Sequence, residues 1–129
     1  MRMIFVNLPV KDLEASKGFF GELGFDFNPE YSDEKAACVV VDENIFVMLL
    51  VEDFFRGFIN DEIADATSTT EVLTCLSASS KEEVDEMVRK AIAAGGKPWK
   101  PTMVEGPMYG GSFQDLDGHV WEVLYMEQG

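Results

Sequence analysis

The sequence predicts an α+β fold built from two copies of one strand–helix–strands unit. Signals for a strand, a helix and further strands follow one another twice along the 129 residues. In each copy, a helix with clear end signals precedes two strands joined by a tight turn. This repeat predicts a single domain with a first module at about residues 1–56, a connector at 57–69 and a second module at about 70–129.

The first module opens with an apolar strand, followed by a helix whose start and stop can be read directly. Asp12 is suited to cap the helix N-terminus, and Gly24 follows its last turn. Leu13, Phe19 and Phe20 recur on one side of the helix, as expected for a buried stripe. Two apolar runs around the polar turn DEN then predict a β-hairpin. In order, the segments are MIFVNLPV, DLEASKGFFGELGF, AACVVV and IFVMLLV.

The second module repeats this order with a stronger helix signal. Ser80 and Glu83 have the spacing of a capping box, and Gly95 and Gly96 follow the helix. Residues 97–108 contain three prolines and predict a loop with room for a short edge strand. A hairpin with LDGH as its turn comes last. In order, the segments are EVLTCLSA, SKEEVDEMVRKAIAAGG, GGSFQD and VWEVLYM.

Charge and composition narrow the classes of partner. A net charge of −14 argues against nucleic acid and anionic membrane surfaces, which attract Lys and Arg, and is compatible with a cationic ligand. No segment approaches the about 20 apolar residues of a membrane span, and the N-terminus lacks a signal-peptide pattern. Two cysteines, Cys38 and Cys75, fit reduced thiols. We therefore expect a cytoplasmic protein without nucleic-acid or membrane partners.

A glutamate inside the last strand is the most informative residue. Glu122 has apolar neighbours on both sides, and a buried carboxylate needs a partner, a proton or a metal ion. Alternation along the strand places Val120 and Leu124 on the same side as Glu122 and turns Trp121 and Val123 to the other side. The sequence therefore predicts a carboxylate on a face that the helix does not cover.

The turn before this strand contains residues that favour tight turns. Asp115 and Asp117 are interpreted as turn formers, and Gly118 is expected to adopt a positive φ. His119, the only histidine, is expected to be a partly exposed residue of the hairpin.

Both ends of the chain resemble one protein family. FVNLPVKDLEASKGFFGELGF resembles the opening of the glyoxalase/bleomycin resistance protein/dioxygenase group, the vicinal oxygen chelate (VOC) superfamily. DLDGHVWEV resembles its closing D-x-D-G-x-x-x-E segment. The resemblance implies two paired βαβββ modules that form an incomplete barrel, commonly in a homodimer. More loosely, the chain resembles the predicted lactoylglutathione lyase-like branch.

The resemblance also implies a divalent metal ion held by the first and last strands of each module. The four ligand positions fall on Phe5, on Met48 or Leu50, on Leu73 and on Glu122. Of these, the Glu122 carboxylate alone suits a hard divalent ion, which needs three or more donor atoms. We therefore expect either no metal or an atypical divalent site, to which Glu52 and Asn7 would add oxygen donors.

Resemblance and strand alternation together predict an apolar pocket that binds a small molecule. In it, Glu122 would be a ligand, a general base or a hydrogen-bond acceptor kept by packing. Cys75 is interpreted as a small buried hydrophobic residue. Tyr109 either orients a ligand beside the pocket or is a core aromatic residue. The predicted pocket residues are Phe5, Asn7, Phe46, Met48, Leu50, Glu52, Leu73, Cys75, Ser77, Tyr109 and Glu122.

The run EDFFRGF, residues 52–58, contains more aromatic residues than a connector needs. It is expected either to cover the pocket or to form a dimer contact.

Three functions are compatible with these residues. The apolar pocket and the missing ligands favour a protein that binds a small molecule without metal, as antibiotic-sequestering members of the family do. The alternative is a metal-dependent lyase, isomerase or dioxygenase that acts on a small carbonyl or vicinal-oxygen compound through Glu122. Standard glyoxalase I activity is not expected, since among the arginines only Arg56 is placed near the pocket rim. A scaffold whose own side chains fill the pocket is the third alternative.

Overall fold

A computed structural model describes residues 1–127 and divides the chain into two compact units, Met1–Ala64 and a unit that begins at Asp65. Each unit contains one sheet and has the order of a βαβββ module. The α+β class and the two modules predicted from the sequence are therefore confirmed. Within the described residues, no helix has both the length and the apolar composition needed to cross a membrane.

The first unit is a four-stranded sheet with two helices. Its elements are β1 (Ile4–Val10), α1 (Leu13–Glu22), β2 (Asp26–Phe27), a 3-10 turn (Pro29–Tyr31), β3 (Ala36–Asp42), β4 (Ile45–Val51) and α2 (Glu52–Arg56). The strand order is β1-β4-β3-β2, with β1 parallel to β4 and the other pairs antiparallel.

Local signals account for the ends of α1. Asp12 Oδ1 accepts a hydrogen bond from Ala15 N at 3.1 Å and so caps the first turn. Gly24 follows the helix with φ of 100°, a conformation that favours glycine. Phe19 and Phe20, from the predicted apolar stripe, are buried. The helix therefore begins, ends and packs as the sequence predicts.

The second unit repeats the topology. Its elements are β5 (Leu73–Ser77), α3 (Lys81–Ala93), β6 (Lys97–Pro98), β7 (Met103–Glu105), β8 (Met108–Gln114) and β9 (Val120–Met126). The strand order is β5-β9-β8-β6, β7 also pairs with β8, and β5 runs parallel to β9. Residues 97–108, predicted as a loop with one edge strand at most, form two short strands because both find a partner in β8.

The ends of α3 follow the sequence with one difference. Ser80 Oγ accepts the predicted hydrogen bond from Glu83 N at 3.0 Å. The Glu83 carboxylate, expected to complete the capping box, instead accepts a hydrogen bond from Ser79 Oγ at 2.8 Å. Gly95, with φ of 108°, follows the helix as predicted.

Helix α3 makes its closest approach to the sheet at Gly111. A Cβ atom built there would lie 2.7 Å from Val88 Cγ2 and 3.1 Å from Val84 Cγ1. Val123 lies opposite Gly111 in the β8–β9 register, and Trp121 is two residues away on the same side. Both side chains are 1% exposed. This face is therefore the helix side of the sheet, and the intervening residues point away from α3.

Candidate functional site

A pocket of about 380 Å³ lies in the first unit. The sheet contributes Asn7 from β1 and Leu50 from β4. The chain beyond β4 contributes Phe55, Phe58 and Ile59. The lining therefore consists of four apolar side chains and one amide, which is a common composition for small-molecule sites.

The predicted pocket residues of the first unit share one face of its sheet. In the parallel register of β1 and β4, Phe5 lies opposite Phe46 and Asn7 lies opposite Met48. Leu50 is two residues beyond Met48, so its side chain points to the same side. We call this the pocket face, since Asn7 and Leu50 line the pocket. All five strand residues predicted for the first module therefore lie together on one face.

Phe5 forms part of an aromatic cluster on the pocket face. Its ring stacks on Phe46 with centroids 4.9 Å apart and planes 14° apart, and Tyr31 meets it edge-on at 6.0 Å. The Phe5 side chain is 38% exposed. A hydrocarbon ring offers no donor atom to a hard divalent ion, so this residue supplies an apolar wall where the resemblance implies a ligand.

Asn7 contributes the polar group of the pocket. Its Nδ2 donates a hydrogen bond to the carbonyl oxygen of Phe5 at 3.3 Å. Its Oδ1 receives no hydrogen bond from the described part of the chain. Asn7 is exposed, and its amide offers both Oδ1 and the second N–H of Nδ2 beside the apolar lining.

Glu52 does not continue β4, and the expectation that it shares the strand's pocket face is wrong. It is the first residue of α2, where negative charge is favoured by the helix dipole. Its carboxylate lies 3.9 Å from Arg56 Nη2 and 4.0 Å from Lys11 Nζ. Glu52 is therefore paired with cations at the edge of the pocket, although the pairs are long and partly exposed.

The run EDFFRGF lies against the pocket. Phe54 and Phe58 meet edge to face at 5.1 Å, and Lys35 Nζ lies 5.8 Å from the Phe54 ring centroid. Phe55 and Phe58 line the pocket directly. These contacts support the alternative in which the run covers the pocket, whereas a dimer contact stays a prediction.

The predicted residues of the second unit also share one face. Glu122 lies opposite Cys75 of β5 and opposite Ser112 of β8, and Leu73 lies opposite Val120. Glu122 is half-buried on the side of β9 that points away from α3. The predicted alternation is confirmed, and we call this side of the sheet the Glu122 face. Ser112 was not predicted as part of it, although alternation along β8 would have revealed it.

Cys75 is exposed, so its interpretation as a buried hydrophobic residue is wrong. It lies at the edge of the sheet because β5 is the terminal strand. Partial desolvation, followed by the negative charge of Glu122, raises the pKa of its thiol. The thiol and the carboxylate are therefore electrostatic neighbours. Cys38, in the first unit, is the buried cysteine.

Ser112 ties a loop to the Glu122 face. Its hydroxyl accepts a hydrogen bond from Lys100 N at 3.0 Å and lies 3.5 Å from the Lys100 carbonyl oxygen. Ser112 is buried, so this hydroxyl serves the structure of the loop. On the same face the Cys75 thiol and the Glu122 carboxylate lie side by side in β5 and β9, and Ser77 lies opposite Leu124 at the end of β5.

Asp115 does more than form the turn before β9. Its Oδ1 accepts hydrogen bonds from Asp117 N and His119 N, and its Oδ2 accepts one from Trp121 Nε1 at 3.0 Å. Burial raises the pKa of the Asp115 carboxyl, while His119 and these hydrogen bonds act in the opposite direction. Gly118 has φ of 88°, as predicted. The buried carboxylate therefore holds the turn and the indole in place, a role that the turn motif alone does not reveal.

Tyr109 lies on the helix side and not on the Glu122 face. Its hydroxyl donates a hydrogen bond to Asp85 Oδ1 of α3 at 2.7 Å, and this bond raises the pKa of the phenol. Lys81 Nζ lies 5.7 Å from its ring centroid. The bond to Asp85 on the helix side does not support the alternative in which the Tyr109 hydroxyl orients a ligand beside the pocket. The residue is half-buried, so it is not fully a core aromatic either.

The side chains at the implied metal positions do not fit a hard divalent ion. Phe5 and Leu73 are hydrocarbons, and Met48, which occupies in β4 the position of Glu122 in β9, offers a soft thioether. Across residues 1–127, no three His, Cys, Asp or Glu side chains gather in a way that could hold a metal ion. One carboxylate falls short of the donor number that such ions need.

Comparison with known proteins agrees with the fold. The family model described as bleomycin resistance protein-like N-terminal matches residues 2–42. Hypothetical protein SA1046 from S. aureus is 31% identical, with 97% of this chain and 94% of that chain covered and a TM-score of 0.83. No curated protein matches the chain.

Two more distant structures share the same fold. A glyoxalase/bleomycin resistance protein/dioxygenase family enzyme from Burkholderia phytofirmans PsJN is 17% identical, with 98% and 99% of the chains covered and a TM-score of 0.80. The fosfomycin resistance protein FosX from Listeria monocytogenes is 20% identical, with 100% and 94% covered and a TM-score of 0.67. With two βαβββ modules, both end motifs and these matches, the chain belongs to the glyoxalase/bleomycin resistance protein/dioxygenase superfamily.

Proposed function

We propose that this protein binds a small molecule in the pocket of its first unit, without the ligand set of the superfamily's metalloenzymes. The observation that carries the proposal is the pocket of about 380 Å³ with four apolar side chains and one amide. This volume falls within the range of roughly 300–1,000 Å³ typical of ligand sites. Assembly into a homodimer, which the resemblance implies, and a cytoplasmic location, which the composition and the two cysteines favour, belong to the proposal as expectations.

The first test combines metal analysis with ligand screening. We expect tag-free protein, purified without chelator, to contain no stoichiometric metal, and small apolar compounds to raise its melting temperature. A ligand present at about 100 times its Kd adds about 2.7 kcal/mol to the free energy of unfolding, which a thermal scan detects. Stoichiometric metal in the wild type that is lost in Glu122→Gln would contradict the metal-free proposal.

A second candidate function rests on Glu122. Its neighbours across the sheet are a thiol and a hydroxyl rather than cationic groups, and its side chain points away from α3. A carboxylate in this setting could abstract a proton from a small enolisable carbonyl compound. Turnover of such a compound that Glu122→Gln abolishes, with Glu105→Gln as the control, would establish this function in place of simple binding.

A further inference from the structure

We infer that the pocket of the first unit binds a flat aromatic molecule, and that the ring of Phe58 is the surface against which this molecule stacks. The inference rests on the proposed function and specifies the chemical class of its ligand. Three features of the first unit support it: the exposure of Phe58, the contacts that hold its ring and the aromatic share of the pocket lining.

Phe58 is a large apolar residue that the first unit leaves in contact with water. It lines the pocket, yet 69% of it is exposed, whereas Leu50 in the same lining is 3% exposed. Covering an apolar ring with a ligand is favourable, and exposed apolar surface beside a groove commonly marks a binding site. Phe58 is therefore the apolar lining residue with the most surface left for a ligand to cover.

Contacts within the segment beyond β4 hold the Phe58 ring in place. Phe54 meets this ring edge to face, with centroids 5.1 Å apart and planes at 82°. The Phe58 N–H donates a hydrogen bond to the carbonyl oxygen of Phe55 at 3.0 Å. An edge-to-face pair engages at most one face of each ring, so Phe58 keeps a face for stacking. Because the ring is positioned before a ligand arrives, less ordering is needed on binding.

The lining offers aromatic surface as well as aliphatic surface. Phe55 and Phe58 are two of its four apolar side chains. Aromatic rings in offset-stacked or edge-to-face contact attract one another by more than the area that they bury accounts for. The pocket of about 380 Å³ is at the small end of ligand sites and suits a compact molecule. An aromatic ligand therefore gains a contribution here that a saturated ring of the same size lacks.

NMR titration of the full chain with benzyl alcohol and with cyclohexylmethanol tests the inference. The two probes carry the same hydroxyl group and differ in whether the ring is aromatic. Binding in the pocket should shift the backbone amides of Leu50, Phe58 and Ile59. The saturated ring is the more apolar of the two, so the affinity ratio in the wild type is not decisive. The decisive quantity is the change in this ratio when Phe58 is substituted.

Three variants isolate the contribution of the ring. In Phe58→Leu, the preference for benzyl alcohol over cyclohexylmethanol should fall about two- to tenfold, as expected for the loss of one aromatic pair. Phe58→Tyr keeps the ring and should keep the preference. Tyr31→Leu is the matched control, because Tyr31 is an exposed aromatic residue of the same unit outside the lining, and it should leave the preference unchanged. Since Phe58 is mostly exposed, the urea midpoints of its variants should stay near that of the wild type.

The outcomes separate the inference from the proposed function. If both probes shift Leu50 and Ile59 but the preference is unchanged in Phe58→Leu, or falls equally in Tyr31→Leu, the role of Phe58 is overturned while the binding function stands. A compound without an aromatic ring that shifts Leu50 and Ile59, when benzyl alcohol does not, would overturn the aromatic class alone.

Two further results would also overturn the inference. Without any probe, shifts of the Phe58 amide that grow with protein concentration would show that a second copy of the chain covers the ring. Absence of binding at the pocket by both probes and by every compound of the thermal screen would overturn the inference and the proposed function together.

Discussion

The two units place different chemistry on equivalent positions of the same topology. Across the first sheet, Asn7, Met48 and Cys38 lie opposite one another, and across the second sheet Cys75, Glu122 and Ser112 do so. The backbone register is the same, but the central residue of the three is Met48, a thioether, in the first sheet and Glu122, a carboxylate, in the second. The chemistry of each face therefore depends on the side chains and not on the fold.

The units also differ in the chain segment beyond their last strand. In the first unit the chain turns from β4 into α2, and Phe55, Phe58 and Ile59 close the pocket beside Asn7. This aromatic cover gives the first face an apolar pocket. The second face instead presents Glu122 beside an exposed thiol. The proposed binding of an apolar molecule therefore rests on the first face, and the alternative proposal of proton transfer rests on the second.

The largest expected difference is between substitutions in the equivalent hairpin turns of the two units. Asp115→Ala removes the acceptor of Trp121 Nε1 and of two backbone N–H groups in a buried part of the turn. We expect a loss of about 2–3 kcal/mol in the free energy of unfolding. Asp42→Ala, in the exposed turn of the first unit, removes one hydrogen bond to Glu43 N and should cost less than about 1 kcal/mol. Urea denaturation measures both, and equal losses would contradict the comparison.

The stability contribution of Asp115 should depend on pH. Burial raises the pKa of Asp115 in the folded chain above its ordinary 3.8. Its contribution is therefore full below that value and declines as the pH rises through the raised pKa. Asp115→Asn, which cannot ionise, lacks this decline. The free-energy deficit of this variant against wild type should shrink between about pH 4 and pH 7 in urea denaturation. A deficit that grows over this pH range would show that folding lowers the pKa of Asp115 instead of raising it.

Two glycine-to-alanine substitutions, one in β8 beneath α3 and one within α1, should have opposite effects on stability. Gly111→Ala places a Cβ atom 2.7 Å from Val88 Cγ2 beneath α3, and we expect a loss of about 1–2 kcal/mol from overpacking. Gly18→Ala, within α1, meets nothing within 4 Å and should stabilise the chain by up to about 1 kcal/mol. The denaturant midpoints of the two variants test this prediction. A Gly111→Ala variant that is more stable than wild type would contradict it.

The smallest expected effect probes the Glu122 face directly. Glu122→Gln removes the negative charge that helps to raise the pKa of the Cys75 thiol, so the thiol should react with iodoacetamide at lower pH. The pKa should stay above its ordinary value because desolvation is the larger cause. Glu105→Gln is the control. Because Cys38 is buried, the fast phase of alkylation reports on Cys75. An unchanged pH profile of alkylation would show that Glu122 does not affect the pKa of the Cys75 thiol.

Sequence alone determined the elements whose signals are local. Asp12 and Ser80 cap their helices through backbone groups three residues away, and Gly24 and Gly118 adopt the positive φ that their turns require. Alternation along β9 separated Glu122 from Trp121, since successive side chains of a strand point to opposite faces. The resemblance of both chain ends indicated the superfamily.

The tertiary structure alone decided where four side chains point and which groups they contact. Glu52 starts a helix, Tyr109 reaches Asp85, Cys75 lies on an edge strand and Asp115 holds Trp121. The bond of Tyr109 spans 24 residues, the exposure of Cys75 follows from the order of strands, and the bond from Trp121 to Asp115 forms when the turn closes over six residues. The hydrophobic periodicity of the sequence does not encode such contacts, because it indicates the local helix or strand and not the element that packs against it.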